Sequence, residues 1–227
     1  MMKGSFIVIE GGDGSGKATQ AKKLYGRLKD DGKVVRKIEF PDYKSPSSGL
    51  IKMYLNGEFG TTPDDVSPYV ASTFYAVDRY ASYKKYWGDF YANGGIIIAD
   101  RYTTSNMIHQ GAKIEDKAER EKYLNWLWDF EFNMFGLPVP DCVIFLDVPP
   151  VYTQKIIKNR HNKYTGRKNK DIHERDREYM KKVYEASLTI ANRYGWHRIC
   201  CIEDGHMLSI DDIHKQIYSI IRQKLLK

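Results

Sequence analysis

Five short apolar runs, separated by longer segments with helical periodicity, narrow the possible folds of this chain more than any other feature. The runs are SFIVIE (5–10), VVRKIEF (34–40), GIIIAD (95–100), DCVIFLD (141–147) and WHRICCIE (196–203). Each has the length of a strand, and segments such as ATQAKKLYGRLKDD after the first run have the apolar spacing of a helix. Strands that alternate with helices predict an α/β fold with a parallel sheet covered on both faces.

Composition predicts one ordinary globular domain that spans residues 1–227. The chain has 227 residues, of which 42% are hydrophobic, enough for a large core. It has no apolar run of about 18 residues and no signal-peptide pattern, so we expect a soluble, cytoplasmic protein without membrane contact. Cys142, Cys200 and Cys201 lack metal-ligand spacing, so we expect buried thiols in a reducing compartment.

The net charge of +7 raises the possibility of a nucleic-acid partner. Much of the excess lies in one block, KNRHNKYTGRKNK (158–170), and the other basic residues are scattered along helical segments. This distribution weighs against nucleic acid, because the block could equally bind one small polyphosphate.

A glycine-rich loop follows the first run and precedes the first predicted helix. Gly11, Gly16 and Lys17 fit the phosphate-binding pattern G-x-x-x-x-G-K-[ST], but Ala18 stands where a hydroxyl normally binds magnesium. We expect positive φ angles that point backbone N–H groups at phosphate oxygens; the glycines concerned are Gly11, Gly12, Gly14 and Gly16. Lys17 would reach the β and γ phosphates, and Thr19 the α-phosphate.

Charged side chains that follow the predicted strands are further candidates, because ligands of parallel sheets bind beyond the carboxyl ends of the strands. Asp100 closes the third run, at the position of an acid that holds magnesium, and Arg101 follows at once. Asp13 lies inside the loop, where it would repel phosphate. We therefore expect it to contact a second substrate, with a turn-forming role as the alternative.

An aromatic residue and an arginine lie one helical turn apart in the segment STFYAVDRY. Tyr75 and Arg79 share a helix face, so they could stack on a flat base and bind its edge. A core aromatic beside a surface arginine is the alternative interpretation. In EFPDY, Phe40 and Pro41 end the second strand with a rigid corner beside the predicted site.

The segments IEGGDGSGK, EFPDY, FYAVDR, ADRYTTSNMIHQG and IFLDVPP, with the basic block after them, resemble the thymidylate kinase family of nucleoside monophosphate kinases in family order. The resemblance covers essentially the whole chain. It implies a P-loop NTPase fold: a five-stranded parallel sheet flanked by helices, with a mobile lid at about 160–171. It also implies transfer of the γ-phosphoryl group of ATP to dTMP with Mg²⁺, giving dTDP and ADP, and a homodimer.

The resemblance also assigns the acceptor pocket. Tyr75 would stack on thymine, Arg79 would read the base edge, and Asp13 would orient the sugar 3′-hydroxyl. The implied substrate-binding residues are Asp13, Phe40, Pro41, Tyr43, Tyr75, Arg79, Arg101, Ser105, His109 and Gln110. His109 stands where the family usually has a tyrosine near the 2′ position, which puts discrimination between deoxyribose and ribose in question.

The lid and the metal site complete the set implied by the resemblance. Some family members carry a catalytic arginine in the glycine loop, at the position of Gly14 here, so the catalytic charge is assigned to Arg167 in the lid. The implied catalytic residues are Lys17, Arg101 and Arg167, and the metal ligands are Asp100 and Glu174, the latter in the motif D-x-x-E. The ATP-binding residues are Gly11, Gly12, Asp13, Gly14, Ser15, Gly16, Lys17, Ala18, Thr19 and, near adenine, Arg160.

Ala18 does not exclude activity. Magnesium in nucleotide sites keeps several waters and can be held by phosphates and one carboxylate. Two alternatives stay open. The first is a kinase for another nucleotide, such as dUMP, UMP or CMP, and the second is a weak ATP-binding module whose basic block contacts nucleic acid.

Overall fold

The computed structural model describes residues 3–157 and 177–225 and shows a five-stranded parallel sheet. Its strands are β1 (Phe6–Gly11), β2 (Val35–Glu39), β3 (Ile96–Asp100), β4 (Cys142–Asp147) and β5 (His197–Cys200), in the spatial order β2-β3-β1-β4-β5. A short antiparallel pair, β6 (Ile202–Glu203) and β7 (His206–Met207), follows β5. The five predicted strands and the α/β class are confirmed.

Helices connect the strands and cover both faces of the sheet. They are α1 (Lys17–Asp30), α2 (Gly49–Asn56), α3 (Pro68–Ser82), α4 (Gly88–Ala92), α5 (Thr103–Gly111), α6 (Lys117–Trp128), α7 (Pro150–Ile157), α8 (Arg177–Arg193) and α9 (Ile210–Leu225). Short 3₁₀ helices lie at Pro46–Ser48 and Pro63–Asp65. Five-residue and six-residue π-helical turns follow α3 (Tyr83–Trp87) and α6 (Asp129–Met134).

Two apolar cores lie on opposite faces of the sheet because side chains alternate along each strand. In β1, Ile7 and Ile9 pack toward α1 and α9, whereas Phe6 and Val8 face the larger core, to which α4, α5, α6 and α8 contribute. The six residues of β1 and of β4 are all buried. Continuous burial explains why these runs are apolar without a polar alternation.

Strand register brings the predicted catalytic segments to one edge of the sheet. Ile9 pairs with Asp100 of β3, and Gly11 pairs with Leu146 of β4. The glycine loop and the segment that begins at Arg101 therefore leave the sheet side by side, at the carboxyl ends of neighbouring strands.

The cysteines agree only in part with the expectation of buried thiols. Cys142 and Cys201 are buried, but the expectation is wrong for Cys200, which is exposed at the end of the edge strand β5. Within 3–157 and 177–225, no helix is long and apolar enough to cross a bilayer. The lid predicted at 160–171 lies outside the described residues.

Core packing leads to a stability prediction. Ile144 is wholly buried in β4, so Ile144→Ala should lower the free energy of unfolding by about 2–5 kcal/mol, through lost burial and a residual cavity. Val34→Ala, at a side chain that is 70% exposed, is the control and should change little. Urea denaturation measures both variants, and equal effects would contradict the assignment of Ile144 to the core.

Candidate active site

The glycine loop turns sharply between β1 and α1. Gly11 has φ of 152°, and a Cβ there would lie 2.7 Å from Ser15 Oγ and 2.8 Å from the Leu146 carbonyl oxygen. Gly14 and Gly16 have φ of 80° and 91°, as expected for a loop that needs left-handed backbone. The expectation of positive φ is wrong for Gly12, whose backbone lies outside that region. Its carbonyl accepts the Ser15 N–H at 3.2 Å, which closes a tight turn.

The start of α1 is open to an anion. A Cβ at Gly12 or Gly16 would meet nothing within 4 Å among the described residues. Gly16 caps α1 without a side-chain hydrogen bond, and the first turn of α1 has no acidic residue. Helix N-termini with exposed N–H groups favour negative ligands. Ala18 and Thr19 are exposed on this first turn, whereas Ser15 is buried and its hydroxyl has no partner in the described chain.

Lys17 folds back over this loop. Its Nζ donates to the Gly12 carbonyl oxygen at 2.7 Å, and the residue is only 7% exposed. Burial lowers the pKa of its ammonium group to about 8, and the nearby Arg101 guanidinium acts in the same direction. Asp13, Asp100 and Glu10 oppose this shift. The loop thus holds a cation that has lost much of its hydration before any ligand binds.

Arg101 connects the glycine loop to α5. Its Nη2 donates to Asp13 Oδ1 at 2.8 Å, and its Nη1 donates to Ser105 Oγ at 3.0 Å and lies 3.2 Å from His109 Nε2. Because a guanidinium cannot accept, His109 Nε2 must be the acceptor of this contact. Carboxylates outweigh the cost of burial and raise the pKa of Arg101 above its ordinary value, Asp13 first and then Glu10. The Arg101 side chain therefore joins three other predicted residues, one in the glycine loop and two on α5.

The backbone of Arg101 is unusual. Its φ is 69°, a left-handed conformation that a long side chain rarely adopts, and its N–H donates to the Ile9 carbonyl oxygen at 3.2 Å. Such strain costs on the order of 1–3 kcal/mol and persists where surrounding contacts fix it. The side-chain bonds of Arg101 are contacts of this kind.

Glu10 is a site residue that sequence reasoning missed. Its side chain is wholly buried at the end of β1, where it accepts from the Gly11 N–H at 2.9 Å. Thr104 Oγ1 and Ser105 Oγ donate to Oε2 at 2.6 and 2.7 Å, and Arg101 Nη1 lies 3.7 Å from Oε1. An acid that ends an apolar strand was the available signal, because a buried carboxylate requires partners.

Arg79 is far more enclosed than a surface arginine. Its Nε and Nη2 donate to the two carboxylate oxygens of Glu131, at 2.6 and 2.5 Å. Thr103 Oγ1 also donates to Glu131, at 2.7 Å. The alternative of a surface arginine is therefore wrong, and Glu131 is a second buried acid that sequence reasoning missed. The assignment of Arg79 to a base edge stays a prediction.

Loop 40–48 carries three of the residues predicted to bind the acceptor, namely Phe40, Pro41 and Tyr43. Phe40 is buried against Tyr102, with ring centroids 5.9 Å apart, and the Phe40–Pro41 peptide is cis. Asp78 on α3 anchors this loop by accepting from the Asp42 N–H at 2.9 Å and from the Ser47 hydroxyl at 2.6 Å. Burial raises the pKa of the Asp78 carboxyl group, although these hydrogen bonds oppose the shift.

Three further residues predicted to bind the acceptor are partly or fully buried, namely Tyr43, Tyr75 and Gln110. Tyr43 and Tyr75 are both half-buried and pack against the same small cluster, which contains Ile51 and Tyr54. Gln110 on α5 is 1% exposed, and its Oε1 has no hydrogen-bond partner among the described residues. The roles of Tyr43, Tyr75 and Gln110 in binding an acceptor stay predictions.

The predicted metal ligands are only partly within the described chain. Asp100 is 3% exposed at the end of β3 and acts electrostatically on Lys17. No group of three or more His, Cys, Asp or Glu side chains in residues 3–157 and 177–225 could hold a metal ion alone. Arg160, Arg167 and Glu174 lie outside the described residues, so neither the lid arginines nor the second carboxylate is tested.

Comparisons with known proteins support the resemblance to the thymidylate kinase family. A sequence model described as thymidylate kinase matches residues 9–196. Proteins named probable thymidylate kinase from Thermococcus onnurineus and Pyrococcus horikoshii are each 32% identical, over 98% and 99% of this chain and 99% of their own. A thymidylate kinase from Mycobacterium tuberculosis is 31% identical over 84% of this chain and 86% of its own.

A solved structure shows the same fold. The thymidylate kinase of Candida albicans aligns with a TM-score of 0.72 at 24% identity, over 97% of this chain and 92% of that chain. The matched sequence model spans most of the chain and includes the glycine loop, Arg79, Arg101 and α5. This chain belongs to the thymidylate kinase family.

Proposed function

We propose that this protein is an ATP-dependent thymidylate kinase, which transfers the γ-phosphoryl group of ATP to dTMP and yields dTDP and ADP. Family membership supports this activity. The observation that carries the proposal is the Arg101 guanidinium, which binds Asp13 of the glycine loop and Ser105 of α5 at once. One cation thus lies between the loop for a donor phosphate and the helix assigned to the acceptor.

The donor side is the glycine loop with the start of α1. The exposed helix N-terminus and the backbone N–H groups would bind the ATP phosphates, and Lys17 would turn from Gly12 toward the β and γ phosphates. A phosphate oxygen of dTMP attacks the γ phosphorus, the bond to the β,γ-bridging oxygen breaks, and ADP leaves with the electron pair. Such a reaction needs alignment and positive charge more than covalent assistance.

The acceptor side is the pocket between α3, loop 40–48 and α5. Tyr75 would stack on the base, and Arg101 would bind the dTMP phosphate, since its side chain keeps 15% of its surface exposed. The other proposed contacts are Phe40, Pro41, Tyr43, Arg79, Ser105, His109 and Gln110, with Asp13 at the 3′-hydroxyl. His109 already accepts from Arg101, so it adds a ring nitrogen where the family usually has a phenol.

Mg²⁺ fits this site as a partner of ATP. The residues available suit an ion held mainly by phosphates and water, since Asp100 offers one buried carboxylate beside the loop and Ala18 offers no hydroxyl. Asp100 would hold the ion, with Glu174 proposed as a second ligand. When bound, the ion neutralises charge that develops on the transferred phosphoryl group.

Four further proposals concern the lid, the oligomeric state and the location of the protein. Arg167 would supply catalytic charge and Arg160 would contact the adenine side; both lie outside the described residues. A homodimer is proposed, and α3 has an exposed apolar face that could contribute to it, at Val70, Val77 and Tyr80. The proposed location is cytoplasmic.

The decisive experiment measures ADP release with ATP and Mg²⁺ against dTMP, dUMP, UMP, CMP, AMP and GMP. We expect dTMP to give the highest kcat/KM, and Arg101→Met to lower that value by at least about a hundredfold, because a cation between donor and acceptor is lost. Arg120→Met is the control, because the hydrogen bonds of this α6 arginine in the described chain go to the Ile114 and Glu115 carbonyl oxygens. Preference for another monophosphate, or only background hydrolysis, would overturn the proposal.

The low pKa of Lys17 predicts a pH effect on ATP binding. Above pH 8 the free protein loses the Lys17 proton, and bound phosphates must draw it back, so affinity falls as pH rises. We expect the Kd for ATP to increase between pH 7 and pH 9.5, approaching about tenfold per pH unit at the upper end. Isothermal titration calorimetry measures it directly.

Two variants isolate the effect of this lysine. Lys17→Met should bind ATP more weakly at every pH and lose the pH dependence above 8. Lys22→Met, at an exposed position on the same helix, should keep it. A wild-type Kd that stays constant from pH 7 to 9.5 would contradict the prediction.

Ala18 predicts a specific change in the magnesium requirement. Ala18→Ser places a hydroxyl at an exposed position on the first turn of α1 and should lower, several-fold, the Mg²⁺ concentration for half-maximal activity. Activity at saturating Mg²⁺ should change little. Ala18→Gly is the control without a hydroxyl, and a serine variant whose Mg²⁺ titration matches it would contradict this account.

A further inference from the structure

A carboxylate lies deep in the aromatic core beside the predicted acceptor pocket. Glu131 belongs to the π-helical turn Asp129–Met134, which continues α6, and none of its side-chain surface is exposed. π-helical turns are rare and occur frequently at functional sites. This turn directs an acid into the large core, where Phe132 and Tyr102 are neighbouring members.

The Glu131 carboxylate accepts two hydrogen bonds from one edge of the Arg79 guanidinium. The two hydrogen bonds, Nε to Oε2 at 2.6 Å and Nη2 to Oε1 at 2.5 Å, form a parallel fork that fixes the plane of the guanidinium. Thr103 Oγ1 donates to Glu131 Oε2 at 2.7 Å and fixes the carboxylate in turn. Arg79 and Glu131 side chains are 2% and 0% exposed, so water does not loosen this arrangement.

Stability alone does not explain the buried Arg79–Glu131 ion pair. Removing two charges from water costs several kcal/mol, and well-packed apolar residues often serve a core as well or better. The fork does, however, determine which donors of Arg79 remain. Its Nη1 contacts the Tyr102 carbonyl oxygen at 3.5 Å, a weak hydrogen bond, so the Nη1 end has donor capacity left within the described chain.

The position of Arg79 on α3 indicates what its Nη1 end could bind. Tyr75, whose ring would carry the base, and Arg79 are one helical turn apart, so both side chains leave α3 on the same face. Arginine only donates, so it favours a carbonyl oxygen and disfavours an amino group at the same place. A rigid guanidinium can enforce that difference, whereas a mobile one could turn away.

We propose that Glu131 is a positioning residue for acceptor selection: it holds Arg79 so that the Nη1 end faces a carbonyl edge of the acceptor base. This inference rests on the proposed function and deepens it. Thymine and uracil offer such a carbonyl, and cytosine offers an amino group in its place. Glu131 itself contacts no substrate.

The test compares steady-state kinetics of wild-type protein and Glu131→Gln with dTMP, dCMP and ATP as varied substrates. The isosteric change removes the charge that fixes Arg79. The KM for dTMP should rise by about tenfold or more, and the preference for dTMP over dCMP should shrink, because a charged hydrogen-bonded contact is misdirected. The KM for ATP should stay unchanged. Glu119→Gln, at an exposed acid paired with Lys122 on α6, is the control.

A second variant keeps the test valid if Glu131→Gln does not fold. Thr103→Val is isosteric and leaves both charges in place, but it removes the hydroxyl that fixes Glu131, so its KM for dTMP should rise by a smaller factor in the same direction. Lower thermal stability with an unchanged KM for dTMP and unchanged base preference would overturn the inference, as would equal changes in both KM values. Wild-type protein inactive on dTMP would overturn the proposed function itself, and the inference with it.

Discussion

The rest of the site depends on the burial of Arg101 among oxygen acceptors. A guanidinium with little water around it needs partners, and Asp13, Ser105 and Glu10 provide them from the loop, from α5 and from β1. These three elements meet only because β1 and β3 are neighbouring parallel strands. The sheet brings the segments together, and the charge then fixes their orientation, including a backbone conformation at Arg101 that would otherwise be unfavourable.

Two buried acids share the start of α5. The consecutive hydroxyl residues Thr103, Thr104 and Ser105 donate to Glu131, Glu10 and Glu10 respectively. Negative charge near a helix N-terminus is favourable, so both carboxylates also stabilise the positive end of α5. One carboxylate thereby connects α5 to the donor loop, and the other connects it to Arg79 on α3. Displacing the start of α5 would therefore disturb both halves of the site.

Sequence reasoning succeeded where a pattern is local. The apolar runs predicted the first four strands to within about a residue, since the continuously buried β1 and β4 consist almost entirely of apolar residues. The fifth run (196–203) was too long, because β5 ends at Cys200 and the remaining residues lead into the separate strand β6. Sequence reasoning failed for Glu10 and Glu131, because their roles depend on partners that lie far along the chain: Arg79 is 52 residues from Glu131. Gly12 shows a different limit. A glycine permits a positive φ without requiring it, so the sequence alone cannot assign that angle.

The charge balance of the site explains why a divalent ion is expected although Ala18 provides no hydroxyl. Lys17 lies near one positive charge, Arg101, and three negative charges, Asp13, Asp100 and Glu10. With Lys17 included, two cations face three carboxylates, so the loop is not a simple positive funnel for a polyphosphate. The carboxylates fix and orient the cations, but they also weaken the electrostatic attraction of the loop for an anion. A metal ion carried by the nucleotide would restore that attraction, and Asp100 would then become a ligand instead of a repelling charge. On this account, the proposed requirement for the ion would arise from the acids that hold the site together, and a single hydroxyl on α1 would be a secondary contribution to it.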